Sequence, residues 1–373
     1  MTTLIVALPM IVCAVLALEL LLSWHQKHDA AQGWLALWAL VATFLYAGHY
    51  VFFHHLYYLL PLSDTVYVFC NLAVYPLYLV YISELTEATP LSTRLDKLTV
   101  LLGLPVIIAL VVWGLYATMS AADVEYFLRT YLYEGSHTGL TGLVLAQAVV
   151  HDVARGVFAL QVVGVMVVGI RKIRCYNRRL KYLYADTDDK HLGTITVILW
   201  LLVVTSLFSV LANAIGRYSF EDSFLLAFPS VFFSALLFCI GWTGLSVQSC
   251  ITEMQQEPQA APRSSDRGDG TNSDYKLLAT QFEQLMNIDQ VYLEHDLRLD
   301  TVVQRLGTNR TYLLAALKQE TGLTFNEYVN RKRIAHAKEL MRNNPGILKS
   351  DVATRSGYNS VSAFYRNLKN QSA

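Results

Sequence analysis

Along the chain of 373 residues the hydrophobic pattern changes character near position 247. Before it, apolar residues run together in seven blocks, at about 3–23, 33–53, 64–83, 98–118, 149–170, 192–215 and 223–247. A membrane's hydrocarbon core, ~30 Å thick, takes about 20 apolar residues of helix to cross. Each block meets that length and is apolar on every face. That predicts transmembrane helices rather than helices buried in a water-soluble core. The segment 119–148 shows no strand pattern and is too short for a separate ligand-binding domain. Positions 248–272, QSCITEMQQEPQAAPRSSDRGDGTN, are rich in Gln, Pro, Ser, Gly and Asp and read as a flexible tether.

From position 273 the period becomes that of amphipathic helices. Tyr275, Leu278, Phe282, Leu285 and Met286 form one stripe, with Ser273 or Asp274 placed to cap its helix. Two similar units follow, LRLDTVVQRLGTNRTYLLAALK at 297–318 and ILKSDVATRSGYNSVSAFYRNLK at 347–369. In each, a Gly stands four residues after a small or β-branched apolar residue: Val303 to Gly307, and Ala353 to Gly357. The apolar residue suits a helix crossing, and the Gly suits a φ > 0 turn between the two helices. Both read as helix-turn-helix units.

In the first unit Asn309 is placed to cap the second helix, and Leu313, Ala316 and Leu317 face inward. That leaves Arg310, Thr311, Leu314, Ala315 and Lys318 outward. In the second unit Ser360 caps, Phe364 and Leu368 turn inward, and Val361, Ser362, Tyr365, Arg366 and Lys369 point out. The connecting helix opens with a capping box, Thr324 and Glu327. Tyr328, Ala335 and Leu340 fall near one of its faces, while Arg331, Lys332, Arg333, Lys338 and Arg342 are mostly directed elsewhere, as a solvated basic face. Running from Phe325 to about Met341, it is about 25 Å long at 1.5 Å per residue. That length suits two helices set in successive major grooves, about 34 Å apart along a duplex. The expected fold is therefore all-α. A seven-transmembrane-helix bundle (1–247) precedes a linker (248–272) and a soluble tandem helix-turn-helix domain (273–373).

Charge sharpens this division. The chain is 54% hydrophobic and 16% charged, with a formal net charge of zero. Yet from Arg310 onward eleven Lys/Arg face four Asp/Glu, which suits a polyanion such as double-stranded DNA. Arg310 and Lys318 suit phosphates, and some of the basic residues of the connecting helix, Arg331 among them, are further candidates. Arg366 is the foremost base-contact candidate, because a bidentate guanidinium–guanine pair discriminates by about 1–3 kcal/mol. Lys and Arg in alternate loops of the apolar half number ten against two, and the rich set faces the cytoplasm. This places the N-terminus outside and the segment after Val247 inside, on the side where DNA lies. The dense cluster from Arg171 to Lys181 reads as a topology signal.

Polar residues within the spans are candidate signal-sensing positions, since burying them in lipid is costly. Glu19, Asn71, Gln161 and Asn213 qualify, and Asp152 and Arg155 sit three apart on one helix face. His49, His54, His55, His137 and His151 fall on or near the outer face, without recognisable metal-ligand spacing. The five Cys show neither a disulfide framework nor a zinc pattern, so no metal or cofactor is expected. The N-terminus lacks a basic n-region, so a cleaved signal peptide is not expected. No Walker loop, nucleophile elbow, HExxH or kinase signature stands in the apolar half, and the expectation is a protein that is not an enzyme.

The segments ETGLTFNEYVNRKRIAHAKELM and SGYNSVSAFYRNLK, with the tandem units around them, resemble the DNA-binding domain of AraC-type bacterial transcription regulators. The likeness covers roughly the last hundred residues. It departs at Val303, where the family usually has Ala, and the family usually adds a Gly-x-x-Pro segment after the second recognition helix. VYPLYLVYISELTEATP is similar, less specifically, to the membrane half of some members with multi-span N-terminal domains. The resemblance implies that Thr311, Leu314 and Ala315 face base edges. It also implies double-stranded DNA as partner, a homodimer as one assembly, and RNA polymerase as a further partner if the protein activates. The expected location is the bacterial cytoplasmic (inner) membrane, with the bilayer, or a small molecule in or beyond it, supplying the signal. Two alternatives are a receptor whose helical domain binds a protein partner, and a transporter or enzyme with a regulatory DNA-binding tail.

Overall fold

A computed structural model describes residues 2–87, 89–183, 192–215, 227–246 and 272–370. Every regular element among them is helical. The chain divides into two compact units: Met1–Ile173 with Thr194–Gln256, and Arg174–Gly193 with Glu257–Ala373. The expected tether lies outside the described residues up to position 271.

The first unit is built on α1 (Thr2–Lys27), α2 (Ala30–Phe53), α3 (Leu60–Thr86), α4 (Leu95–Thr118), α5 (Ala121–Phe127), α6 (Gly142–Leu183) as far as Ile173, α7 (Leu192–Ile215) from Thr194, and α8 (Ala227–Ser246). Among the described residues, six helices are long and apolar enough to cross a membrane: Leu4–Lys27, Ala30–Phe53, Leu60–Thr86, Leu95–Thr118, Gly142–Tyr176 and Ala227–Leu245. The remaining predicted block, 192–215, is also helical, and its described apolar stretch is Val203–Ala212. Pro9, Pro76 and Pro105 stand inside α1, α3 and α4. Neighbouring helices re-satisfy the backbone groups such prolines free, which is why membrane helices tolerate them. α1 packs on α2 and α8, and α3 on α2 and α4.

The outward faces of this unit are apolar: Val100, Leu160 and Leu207 are each more than 70% exposed. Such a surface is a liability in water and ordinary in lipid. The segment 119–148 is not a plain loop. α5 continues into a π-helical turn, Leu128–Tyr133, and α6 begins at Gly142. Tyr133 stacks on Phe52 with ring centroids 4.5 Å apart and donates to its carbonyl at 2.9 Å, fixing this segment to the end of α2.

The second unit carries α9 (Asn272–Asn287), a 3-10 turn at Val291–Leu293, α10 (Leu299–Leu306), α11 (Arg310–Thr321), α12 (Phe325–Asn343), α13 (Lys349–Arg355) and α14 (Val361–Asn370). α9 starts earlier than its stripe suggested, so Ser273 and Asp274 lie inside its first turn rather than before it. Two cores form. Leu278, Phe282 and Met286 of α9 meet Leu313, Ala316 and Leu317 of α11 in the first. Phe364, Val352 and Ala353 fill the second. α12 serves both, giving Phe325, Tyr328 and Val329 to one and Ile334 and Ala337 to the other.

Candidate nucleic-acid interface and polar sites of the bundle

The two turns take the form the Gly spacing predicts. Gly307 adopts φ 61° and Gly357 φ 81°, a region that side chains rarely enter. They differ in surroundings. A Cβ on Gly307 would meet nothing within 4 Å, whereas one on Gly357 would lie 2.8 Å from the Leu293 carbonyl oxygen. The second turn is thus pressed against the 3-10 turn at Val291–Leu293. Caps fall where expected: Tyr312 N donates to Asn309 Oδ1 at 2.9 Å, and Ala363 N to Ser360 Oγ at 3.1 Å. Both halves of the Thr324–Glu327 capping box are formed.

α11 and α14 each leave one face uncovered. Thr311, Ser362, Tyr365, Arg366 and Lys369 are exposed, as is Arg331 on α12. Leu314 and Ala315 are only half-exposed, and Leu314 packs against the first core, so its outward assignment is corrected in part. Two basic residues have jobs inside the fold. Arg310 forms a two-pronged ion pair with Asp300, tying α11 to α10 across the turn. Lys318 Nζ donates to the Gly322 carbonyl at 2.9 Å, satisfying an end carbonyl of its own helix.

The largest correction concerns Arg333. It does not join an outward basic face; it is fully buried. Nε donates to the Tyr292 carbonyl and a terminal nitrogen to the Glu294 carbonyl, both at 2.6 Å. Its guanidinium lies 5.4 Å from the centroid of the Tyr358 ring. The signal was present in the sequence, because Phe325, Val329, Arg333 and Ala337 form one i, i+4 row. Of the residues grouped on one face of the connecting helix, Tyr328 is buried but Ala335 is exposed. Burial pushes the Tyr328 phenol up to about 12, with Glu283 adding to the shift, so it stays neutral at physiological pH.

In the first unit, polar residues gather inside. His151 Nε2 lies 2.7 Å from Asp64 Oδ2, and both side chains are almost wholly buried. His151 Nδ1 faces the Gln147 carbonyl at 2.8 Å, and Tyr116 donates to Asp64 at 3.0 Å. A carbonyl only accepts, so the Gln147 contact calls for a donor at Nδ1, and Nε2 is left facing the Asp64 carboxyl. Asp64 was read as the edge of a span rather than as a site residue; an acid within an apolar block is the signal that marks it.

Asp152 and Arg155 do face one another, with NH1 3.6 Å from Oδ1. Asp152 also accepts from Tyr131 at 2.7 Å and lies 2.9 Å from His137 Nε2. His49 stacks on Phe53 and meets Tyr67 edge-on. His54 stacks on Tyr50, and His55, at φ 51°, stacks on Tyr133. Asn71 lines an internal cavity, Glu19 is exposed, and the Asn213 side chain lies outside those described. Among the described residues no group of three or more His, Cys, Asp or Glu could hold a metal ion.

Residues 302–372 match a family model described as a helix-turn-helix domain, of the AraC type. The C-terminal segment is an AraC-type helix-turn-helix domain. Neither the curated proteins nor the solved structures give a match to the chain. The AraC-type domain is a DNA-binding module of transcription regulators, and this chain also contains helices apolar enough to span a membrane. Its matched stretch begins within α10 and takes in both turns, both outward helices and the whole of α12.

Proposed function

We propose that the protein is a one-component transcription regulator embedded in the bacterial cytoplasmic membrane. In this reading the bundle, 1–247, detects a signal in or beyond the bilayer. The stretch 248–272 tethers it to a DNA-binding domain, 273–373, on the cytoplasmic side. The observation that carries the reading is the pairing, in one chain, of lipid-suited helices with two uncovered helices, α11 and α14, of an AraC-type domain. The bias of basic loops supports the orientation.

Thr311 and Arg366 are the base readers in this scheme. Ser362, Tyr365, Lys369 and Arg331 contact backbone or flanking edges, and Leu314 and Ala315 supply apolar contact to a thymine methyl. Arg310 and Lys318 reach phosphate only by sharing their internal partners. A signal acts by shifting the population of helix packings in the bundle, which changes DNA affinity or dimer geometry through the chain. RNA polymerase is the further partner if the regulator activates.

The test is genome-wide DNA occupancy of the intact protein in its native membrane, beside a variant with Thr311 and Arg366 both changed to Ala. Discrete occupied sites, lost in the double variant, are expected. Occupancy without discrete sites, or a C-terminus on the far side of the membrane, would overturn the reading.

A further inference from the structure

Within the bundle lies a cavity of about 210 Å³, bounded by α1, α2, α3, α6, α7 and α8. It runs lengthwise. On α3 alone its wall extends from Tyr67 to Tyr78, a span of about 16 Å at 1.5 Å per residue. Near one end stand Trp38 and Tyr78, whose ring centroids are 5.6 Å apart. Each is 3% exposed. Among the described residues, neither the Trp38 indole nitrogen nor the Tyr78 hydroxyl has a hydrogen-bond partner. Buried polar atoms are ordinarily paired, so two orphans on neighbouring rings that line the cavity mark a place where an acceptor belongs. The indole N–H donates only, which excludes a ligand whose sole polar group is a donor there.

The other end, at His49, His151 and Arg155, is already compensated. Arg155 faces Asp152, and His151 faces Asp64, so the charged groups at this end already have partners within the bundle. The remaining lining is mainly aliphatic and aromatic. We propose that this cavity binds an uncharged, elongated lipophilic molecule whose carbonyl oxygen accepts from Trp38 and Tyr78. Ketones, esters and quinones dissolved in a membrane share that chemistry. The inference rests on the regulator reading only in making this ligand the signal; binding itself requires just the folded bundle.

The test uses full-length protein with fluorotryptophan label in phosphatidylcholine nanodiscs, read by fluorine NMR. Loss of one resonance in Trp38→Phe assigns Trp38. Octyl methyl ketone should move that resonance saturably, while decane, of equal carbon count and without an acceptor, should not. Tyr78→Phe keeps the ring and should weaken ketone binding about fivefold to tenfold, as loss of one hydrogen bond implies. A resonance moved equally by decane, unmoved by the ketone, or moved by it with unchanged affinity in Tyr78→Phe would overturn the site. DNA affinity is measured on the same samples. Ketone binding with no change in DNA affinity would leave the site standing and overturn its role as the signal site.

Discussion

The bundle and the AraC-type domain both bury apolar side chains but differ in what they expose. In the bundle, apolar side chains cover the outside, and the buried interior holds a polar network of His151, Asp64 and Tyr116. In the domain the apolar residues form two closed cores and the charges lie outside, with Arg333 as the exception. The difference teaches that a buried polar group means different things in different solvents. In water-folded protein it displaces hydrophobic burial and must be offset by hydrogen bonds, which Arg333 makes through Nε and one terminal nitrogen. In lipid, helix association draws on packing and polar contacts instead, and these contacts are individually modest.

The comparison is put at greatest risk by Arg333→Met. This change leaves the Tyr292 and Glu294 carbonyls without their donors and should destabilise the domain by about 3–5 kcal/mol. Urea-dependent proteolysis of the domain in the full-length protein would read it. A loss below about 1 kcal/mol would show that Arg333 is an ordinary buried stem. Gly357→Ala comes next. Strain at φ 81° and the approach to the Leu293 carbonyl together predict a loss of about 2–4 kcal/mol. Gly307→Ala, with open space around it, should cost about 1–2 kcal/mol from backbone strain alone.

Arg366→Ala leaves the fold alone and should erase about 1–3 kcal/mol of preference at one base position in footprinting against site variants. Equal weakening on every variant would make it a phosphate contact. Asn309→Ala removes the α11 cap and should cost about 1 kcal/mol of domain stability. The smallest effect should lie in the bundle. Tyr116→Phe removes one donor to Asp64 and should cost about 0.6 kcal/mol by steric-trap unfolding in bilayers. A loss as large as that of Arg333→Met would erase the distinction between the two regions.

Much of this was legible in the sequence, for reasons that differ by region. The apolar blocks announced membrane-suited helices, because length and composition alone decide whether a helix suits lipid. The Gly spacing announced both turns, because few residues accept φ > 0. The caps at Asn309, Ser360 and Thr324 were readable because capping is local. What escaped depends on partners far along the chain. Arg333 looked like a solvated cation until residues 292 and 294 were brought to it, about forty positions away. Asp64 meets His151 from 87 positions away, and nothing local to either names the other. Arg310 was read outward because a helical wheel shows the direction of a side chain, not the carboxylate waiting across a turn.

The continuity of α12 through both cores fixes more than stability. Its 19 residues form one uninterrupted rod, clamped near the middle by Arg333. One added residue would swing everything beyond it by about 100° and advance it by about 1.5 Å. Phase between the outward faces of α11 and α14 is therefore cast into the polypeptide. If both faces read DNA, as proposed, an operator lengthened by half a duplex turn must twist or kink to be grasped, because α12 has no slack to lend.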